Sequence, residues 1–175
     1  MTNINEGDQA FRSDSLKGKE SEMPFGGALS FLRRKYTREI DSADIVVSGI
    51  PFDMATSNRP GARFGPRALR AASVGLAELD AYPFGFDPFD FVAVADYGDC
   101  YIDYGYPQNA TDLIERHADQ ILNTDSMMVS MGGDHYVTYP LLKAHAKKFG
   151  PLSLIHFLSL IHISEPTRRT PISYA

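Results

Sequence analysis

Ser126-Met127-Met128-Val129-Ser130-Met131-Gly132-Gly133-Asp134-His135 is a short apolar run that ends in two glycines, an acid and an imidazole. A run of this length closed by a breaker suits a strand of a parallel sheet, which is covered on both faces and needs no polar alternation. On either side the period changes to that of a helix. Upstream, Leu113, Ile114, Ile121 and Leu122 fall on one face of a helix over 110–122. Asn109 can cap it, since its side-chain oxygen reaches the free amides of the first turn, and Asp112 adds negative charge there. Downstream, a helix over 139–148 carries Pro140 near its start and Gly150 past its end.

The alternation continues outward. Ile45-Val46-Val47-Ser48-Gly49-Ile50, closed by Pro51, reads as a buried strand. A polar loop from Asp53 to Gly65 separates it from Pro66, which opens a helix over 66–72. Residues 82–90, YPFGFDPFD, form a loop packed by its own rings. Phe91–Asp96 is a strand followed by a turn at Tyr97-Gly98-Asp99, and Leu152–Phe157 is a fourth strand. Strands separated by helices throughout imply parallel pairing with right-handed crossovers, a doubly wound α/β sheet. Ligands gather at the carboxyl ends of such strands. The loops that qualify are Pro51 to Gly65, Asp96 to Asp103 and Gly132 to Tyr136.

The chain of 175 residues suits one domain, and its net charge of −5 favours no polyanionic partner such as nucleic acid. Cys100 is the sole cysteine, which excludes an internal disulfide framework and suits a reducing compartment, the cytoplasm by default. No run approaches the roughly 18 apolar residues of a membrane span. Residues 1–22 lack the apolar stretch of a signal peptide and read as a disordered leader ahead of a domain over 23–157.

The glycine pair before His135 lets the backbone turn and approach a bound ion, and Asp134 offers an acceptor to orient the ring. An isolated histidine at a strand end serves equally well as a hydrogen-bonded structural residue. Arg59, Arg63 and Arg67 are either contacts for an anionic substrate tail or a neighbouring subunit, or solvated side chains. Turn chemistry accounts for Asp53 and Asn58. His156, inside an apolar strand, reads as a core histidine, and Asp96 and Asp99 as caps around a glycine turn.

Four segments taken together carry a resemblance: Ser48-Gly49-Ile50-Pro51-Phe52-Asp53-Met54-Ala55-Thr56, Asn58-Arg59-Pro60-Gly61-Ala62-Arg63-Phe64-Gly65-Pro66, Gly132-Gly133-Asp134-His135 and Leu154-Ile155-His156-Phe157. In this order and spacing they resemble the arginase/agmatinase ureohydrolase family over roughly residues 25–157, closest to its agmatinase and guanidino-acid hydrolase members. The resemblance implies a three-layer α/β/α sandwich and a cofactor of two Mn2+ ions, with His135 a ligand of the first. It also implies hydrolysis of a small guanidino substrate to urea and an amine, agmatine giving putrescine first among them, and assembly into homotrimers or hexamers. A guanidinium carbon flanked by electron-donating nitrogens is a poor electrophile, and two divalent ions sharing a water make that water nucleophilic enough to attack it.

After Phe157 the sequence departs from the family. There the family continues with Asp-Ala-His-x-Asp and supplies three ligands, whereas this chain has Leu158-Ser159-Leu160-Ile161-His162. Leu158 and Leu160 cannot coordinate, and His162 falls near a ligand position only by accident of register. Leu158–Ile163 nearly duplicates Leu152–Phe157, and the polar tail after it resembles a translated sequencing adapter, so residues 158–175 read as a non-native tail. The expectation is a fragment without ureohydrolase activity of its own. A guanidino-acid hydrolase and a non-catalytic assembly subunit are the alternatives.

Overall fold

The apolar run at 45–50 forms the centre of a four-stranded parallel sheet, because both of its edges find partners. The computed structural model describes residues 26–77 and 80–158. Its strands are β1 (Lys35–Tyr36), β2 (Ile45–Ile50), β3 (Val94–Asp99) and β4 (Met127–Gly132), in the order β1-β3-β2-β4. Ile45 pairs with Val94 on one side and Met127 on the other, and β2 stays in register with β4 through Ile50 and Gly132. The leader 1–22 lies outside the described residues, as does the tail apart from Leu158.

The helices are α1 (Gly65–Ser73), α2 (Ala110–Leu122) and α3 (Thr138–Phe149). The period of β2 assigns them to faces. Val46, Ser48 and Ile50 point one way: Val46 packs with Ile121 and Ile50 with Ile114, both on α2. Val47 and Gly49 point the other way, where a Cβ added at Gly49 would lie 2.7 Å from Pro66 of α1. Helix α3 packs on α2 through Ala144 against Ala118 and Leu122. Layers of α1, sheet and α2 with α3 give the α/β/α sandwich. Val46, Ile50, Ile114 and Ile121 are fully buried, and each contributes on the order of 1.5–3 kcal/mol of transfer free energy.

The helix over 110–122 lies where its apolar spacing places it, but Asn109 makes no side-chain cap. A 3-10 turn at Pro107–Asn109 leads straight into the helix, with Asn109 already in helical conformation, so its carboxamide is not aimed at the first amides. The second long strand runs over Val94–Asp99, three residues beyond the expected 91–96, and absorbs the expected turn. Phe91 instead closes a 3-10 turn begun by Asp87, whose carboxylate accepts from the Phe89 amide at 2.9 Å. Loop 82–90 pairs Phe84 with Phe86 within itself and Phe86 with Phe91 just beyond it, yet Tyr82 and Phe84 are largely exposed.

The fourth strand expected at Leu152–Phe157 is absent; these residues run as exposed coil, with Ile155 80% and Phe157 93% accessible. A strand exists only by sharing its amides with a neighbour, and among the described residues none pairs with this segment. His156 is therefore an exposed residue and not a core histidine. The described residues contain no helix long and apolar enough to cross a membrane.

Candidate functional site

The loops after β2, β3 and β4 converge at the carboxyl end of the sheet, and those after β2 and β4 first meet through their backbones. Gly133 N donates to Ile50 O at 3.1 Å and Asp134 N to Phe52 O at 2.7 Å. A side chain at Gly133 would lie 2.6 Å from Ile50 O and 2.8 Å from Phe52 N, so only glycine allows this approach. Asp134 then accepts from Ala55 N at 2.8 Å and from Tyr136 N at 3.0 Å. Its carboxylate is spent on two main-chain amides, and no bond to the His135 ring accompanies them, contrary to the ring-orienting role expected of it.

His135 opens the 3-10 turn His135–Val137 at the end of β4 and is exposed to solvent. Its imidazole lies parallel to that of His156, with centroids 5.1 Å apart and planes at 2°. Among the described residues no group of three or more His, Cys, Asp or Glu is placed to hold a metal ion. Two exposed imidazoles do not fit a pair of divalent cations, each of which wants several ligands and substantial negative charge.

The loop after β2 is held by a buried carboxylate. Asp53 is 1% exposed and accepts from Gly61 N at 2.6 Å, Arg63 N at 3.3 Å and Arg63 Nε at 2.7 Å. The Arg63 bond, outweighing burial and aided by the Gly61 amide, holds its carboxyl down at about 2. Arg63 in turn stacks 4.2 Å over the ring of Tyr104, whose hydroxyl donates to Pro51 O. Asp53 thus does more than the local turn chemistry expected of it, since its bonds run across the loop to Gly61 and Arg63. Arg63 is committed to Asp53 and Tyr104, while Asn58, Arg59 and Arg67 are exposed.

Asp96 and Asp99 are more than caps. Arg70 of α1 grips Asp96 with Nε at 2.7 Å and Nη2 at 2.8 Å, and reaches Asp99 with Nη1 at 2.6 Å. Asp96 also accepts from Phe31 N at 2.8 Å and Gly98 N at 2.9 Å. Burial alone would lower the Arg70 pKa, but the two carboxylates outweigh it and raise it. Arg70 was not among the arginines the sequence singled out. Its signal was indirect: Pro66, Arg70 and Ser73 share the buried face of α1, and two acids in an apolar strand require a cation or donors.

A model of the arginase family matches residues 43–159. The chain belongs to the arginase family. It is 53% identical over 152 residues to an agmatinase of Chromobacterium violaceum, covering 86% of this chain and 47% of the relative. An agmatinase of Serratia proteamaculans is 49% identical over 146 residues, covering 82% and 48%. Of solved structures, a hypothetical agmatinase from Burkholderia thailandensis superposes with TM-score 0.83 at 58% identity, covering 86% of this chain and 48% of that one. The proclavaminate amidino hydrolase of Streptomyces clavuligerus superposes with TM-score 0.68 at 32% identity, covering 75% and 43%. This arginase-family chain spans about half the length of the curated relatives it matches.

Proposed function

We propose that the chain is the amino-terminal portion of a manganese-dependent ureohydrolase that converts agmatine to putrescine and urea. The observation that carries this reading is the 53% identity to an agmatinase across 152 residues, which include the converging loops of the site. A guanidino-acid substrate is the second reading, supported by the 32% identity to the proclavaminate amidino hydrolase. Agmatinases are closer in sequence, so agmatine is the first substrate to test. We place the protein in the cytoplasm, as a homo-oligomer of three or six chains.

In this reading His135 is the single metal ligand that the stretch contributes, and the other ligands come from a longer parent. Bound metal ions would supply a hydroxide at neutral pH. The chain's own residues supply the frame. Asp53, the acid that opens the loop after β2, is ionised, buried and bonded to Arg63 and loop amides, so it holds the loop and does not act as a general base. We take residues 158–175 as foreign to that parent.

The test is a urea assay on two proteins. One is the chain of 175 residues with manganese and agmatine, which yields no urea above a protein-free control. The other joins residues 1–157 to the carboxyl-terminal half of the Chromobacterium violaceum relative, and it releases urea and putrescine. Turnover by the first protein contradicts the fragment reading, and its absence in the second, with agmatine and guanidino acids alike, contradicts the ureohydrolase reading.

A further inference from the structure

Between the loop Asp53–Gly65 and the strand end that bears His135, where Gly65 at the loop's far end already lies against Gly132 O, a single side-chain hydrogen bond stands among the described residues. Beyond Phe52 the loop Asp53–Gly65 leaves the sheet, and the bonds of Asp53 to Gly61 and Arg63 close that loop on itself without fixing it to β4. The Tyr104 hydroxyl holds Pro51, upstream of the loop. The bond that joins the loop to the strand end bearing His135 runs from the Ala55 amide to Asp134 Oδ2, at 2.8 Å. The other oxygen of the same carboxylate accepts from Tyr136 N at 3.0 Å, one residue past His135. Asp134 N itself donates to Phe52 O at 2.7 Å, so the residue is gripped from both segments.

We infer that Asp134 is a positioning residue that sets the loop Asp53–Gly65 at a fixed distance from His135 and thereby shapes the substrate side of the site. The inference rests on the ureohydrolase reading for its kinetic consequence and on geometry alone for the tether. A carboxylate suits the task because it is acceptor-only, with an oxygen for each amide. Asparagine keeps the volume but leaves one oxygen for two donors and turns an NH2 group toward an N–H.

The experiment has an arm for each part. In the chain of 175 residues, amide hydrogen exchange at Ala55 speeds up by roughly tenfold or more in Asp134→Asn, the size expected when one protecting hydrogen bond is lost. Strand amides of β2 and β4 keep their protection, which separates loss of the tether from general loosening. In the protein completed with the relative's carboxyl-terminal half, Asp134→Asn raises KM about tenfold, lowers kcat by less than that, and leaves bound manganese per chain unchanged. Ala55→Pro, which deletes the one donor and spares the carboxylate, reproduces the KM change.

Unchanged exchange at Ala55 in Asp134→Asn overturns the tether. Loss of manganese with KM unaltered overturns the positioning role in favour of a ring-orienting one. A completed protein that makes no urea even with Asp134 intact defeats the ureohydrolase reading, while the exchange measurement still decides the tether.

Discussion

His117 enters the core from α2 as a neutral base that the fold keeps from charging. It is 6% exposed, its ring lies edge-on to Tyr97 with centroids 5.4 Å apart, and its Nε2 sits 2.5 Å from the hydroxyl of Ser48. Ser48 has one proton, and its hydroxyl donates that proton to Gly98 O at 3.1 Å, so His117 Nε2 carries the hydrogen and donates to Ser48. Burial pushes the His117 pKa down from 6.5 to about 4, and the nearby Arg38 guanidinium pushes the same way, against the opposing pull of Asp99. An unfolded chain takes up a proton near 6.5 and the folded chain only near 4, so the unfolded state binds more protons between these values. Stability from this residue is present above 6.5 and falls as pH drops through that window. Urea melts at pH 7.5 and pH 5 should differ by roughly 2 kcal/mol on this account, with the folded state weaker at pH 5. His117→Gln, which keeps a donor for Ser48 but does not titrate in this range, should remove most of that difference; an undiminished pH dependence in the variant would reject the assignment.

Helix α1 and strand β3 are joined by charge where most elements here are joined by apolar contact. Asp96 is completely buried and Arg70 nearly so, and the fork of one matches the carboxylate of the other at 2.7 and 2.8 Å. Arg70→Met keeps the length of the side chain and strands the carboxylate, which should cost about 3–5 kcal/mol, the range for breaking one partner of a buried pair. Replacing Arg70 and Asp96 together by apolar residues should cost less than Arg70→Met alone, measured as a difference in urea midpoints at constant slope. The same pair explains how far the elements were legible from sequence. Strands β2 and β4 and helices α2 and α3 announce themselves by runs and spacings of apolar residues, and they lie where those patterns put them. Strand β3 was misplaced because its apolar letters stop at Ala95 while its hydrogen bonding continues through two acids, a continuation that depends on an arginine 26 residues away. Strand β1 is two residues long and has no period to read. In the site, the grouping of the three loops followed from strand-end topology. The roles of Asp134 and Arg63 did not, since a carboxylate bonded to distant amides leaves no spacing in the sequence.

At the scale of the molecule the sheet is unevenly finished. Strand β2 is paired on both sides, whereas β4 has β2 on one side and, among the described residues, no strand on the other. Met127 is 63% and Val129 40% exposed on that strand, and the coil after α3 adds Ile155 and Phe157. An open parallel edge flanked by exposed apolar side chains is a template for pairing with another chain. The relatives are about twice as long as this chain, so their sheets have further residues available to cover such an edge. The chain by itself should therefore associate as its concentration rises, with light scattering growing steeply from the micromolar range. Met127→Lys with Val129→Lys places two charges along the edge without touching the buried Met131, and should shift the onset of association to several-fold higher concentration. The remaining association would come from Ile155 and Phe157, so a further Phe157→Ser should reduce it again. Should the unsubstituted chain of 175 residues stay monomeric at every concentration tested, the edge is covered in solution, and β4 must be paired by residues outside those described.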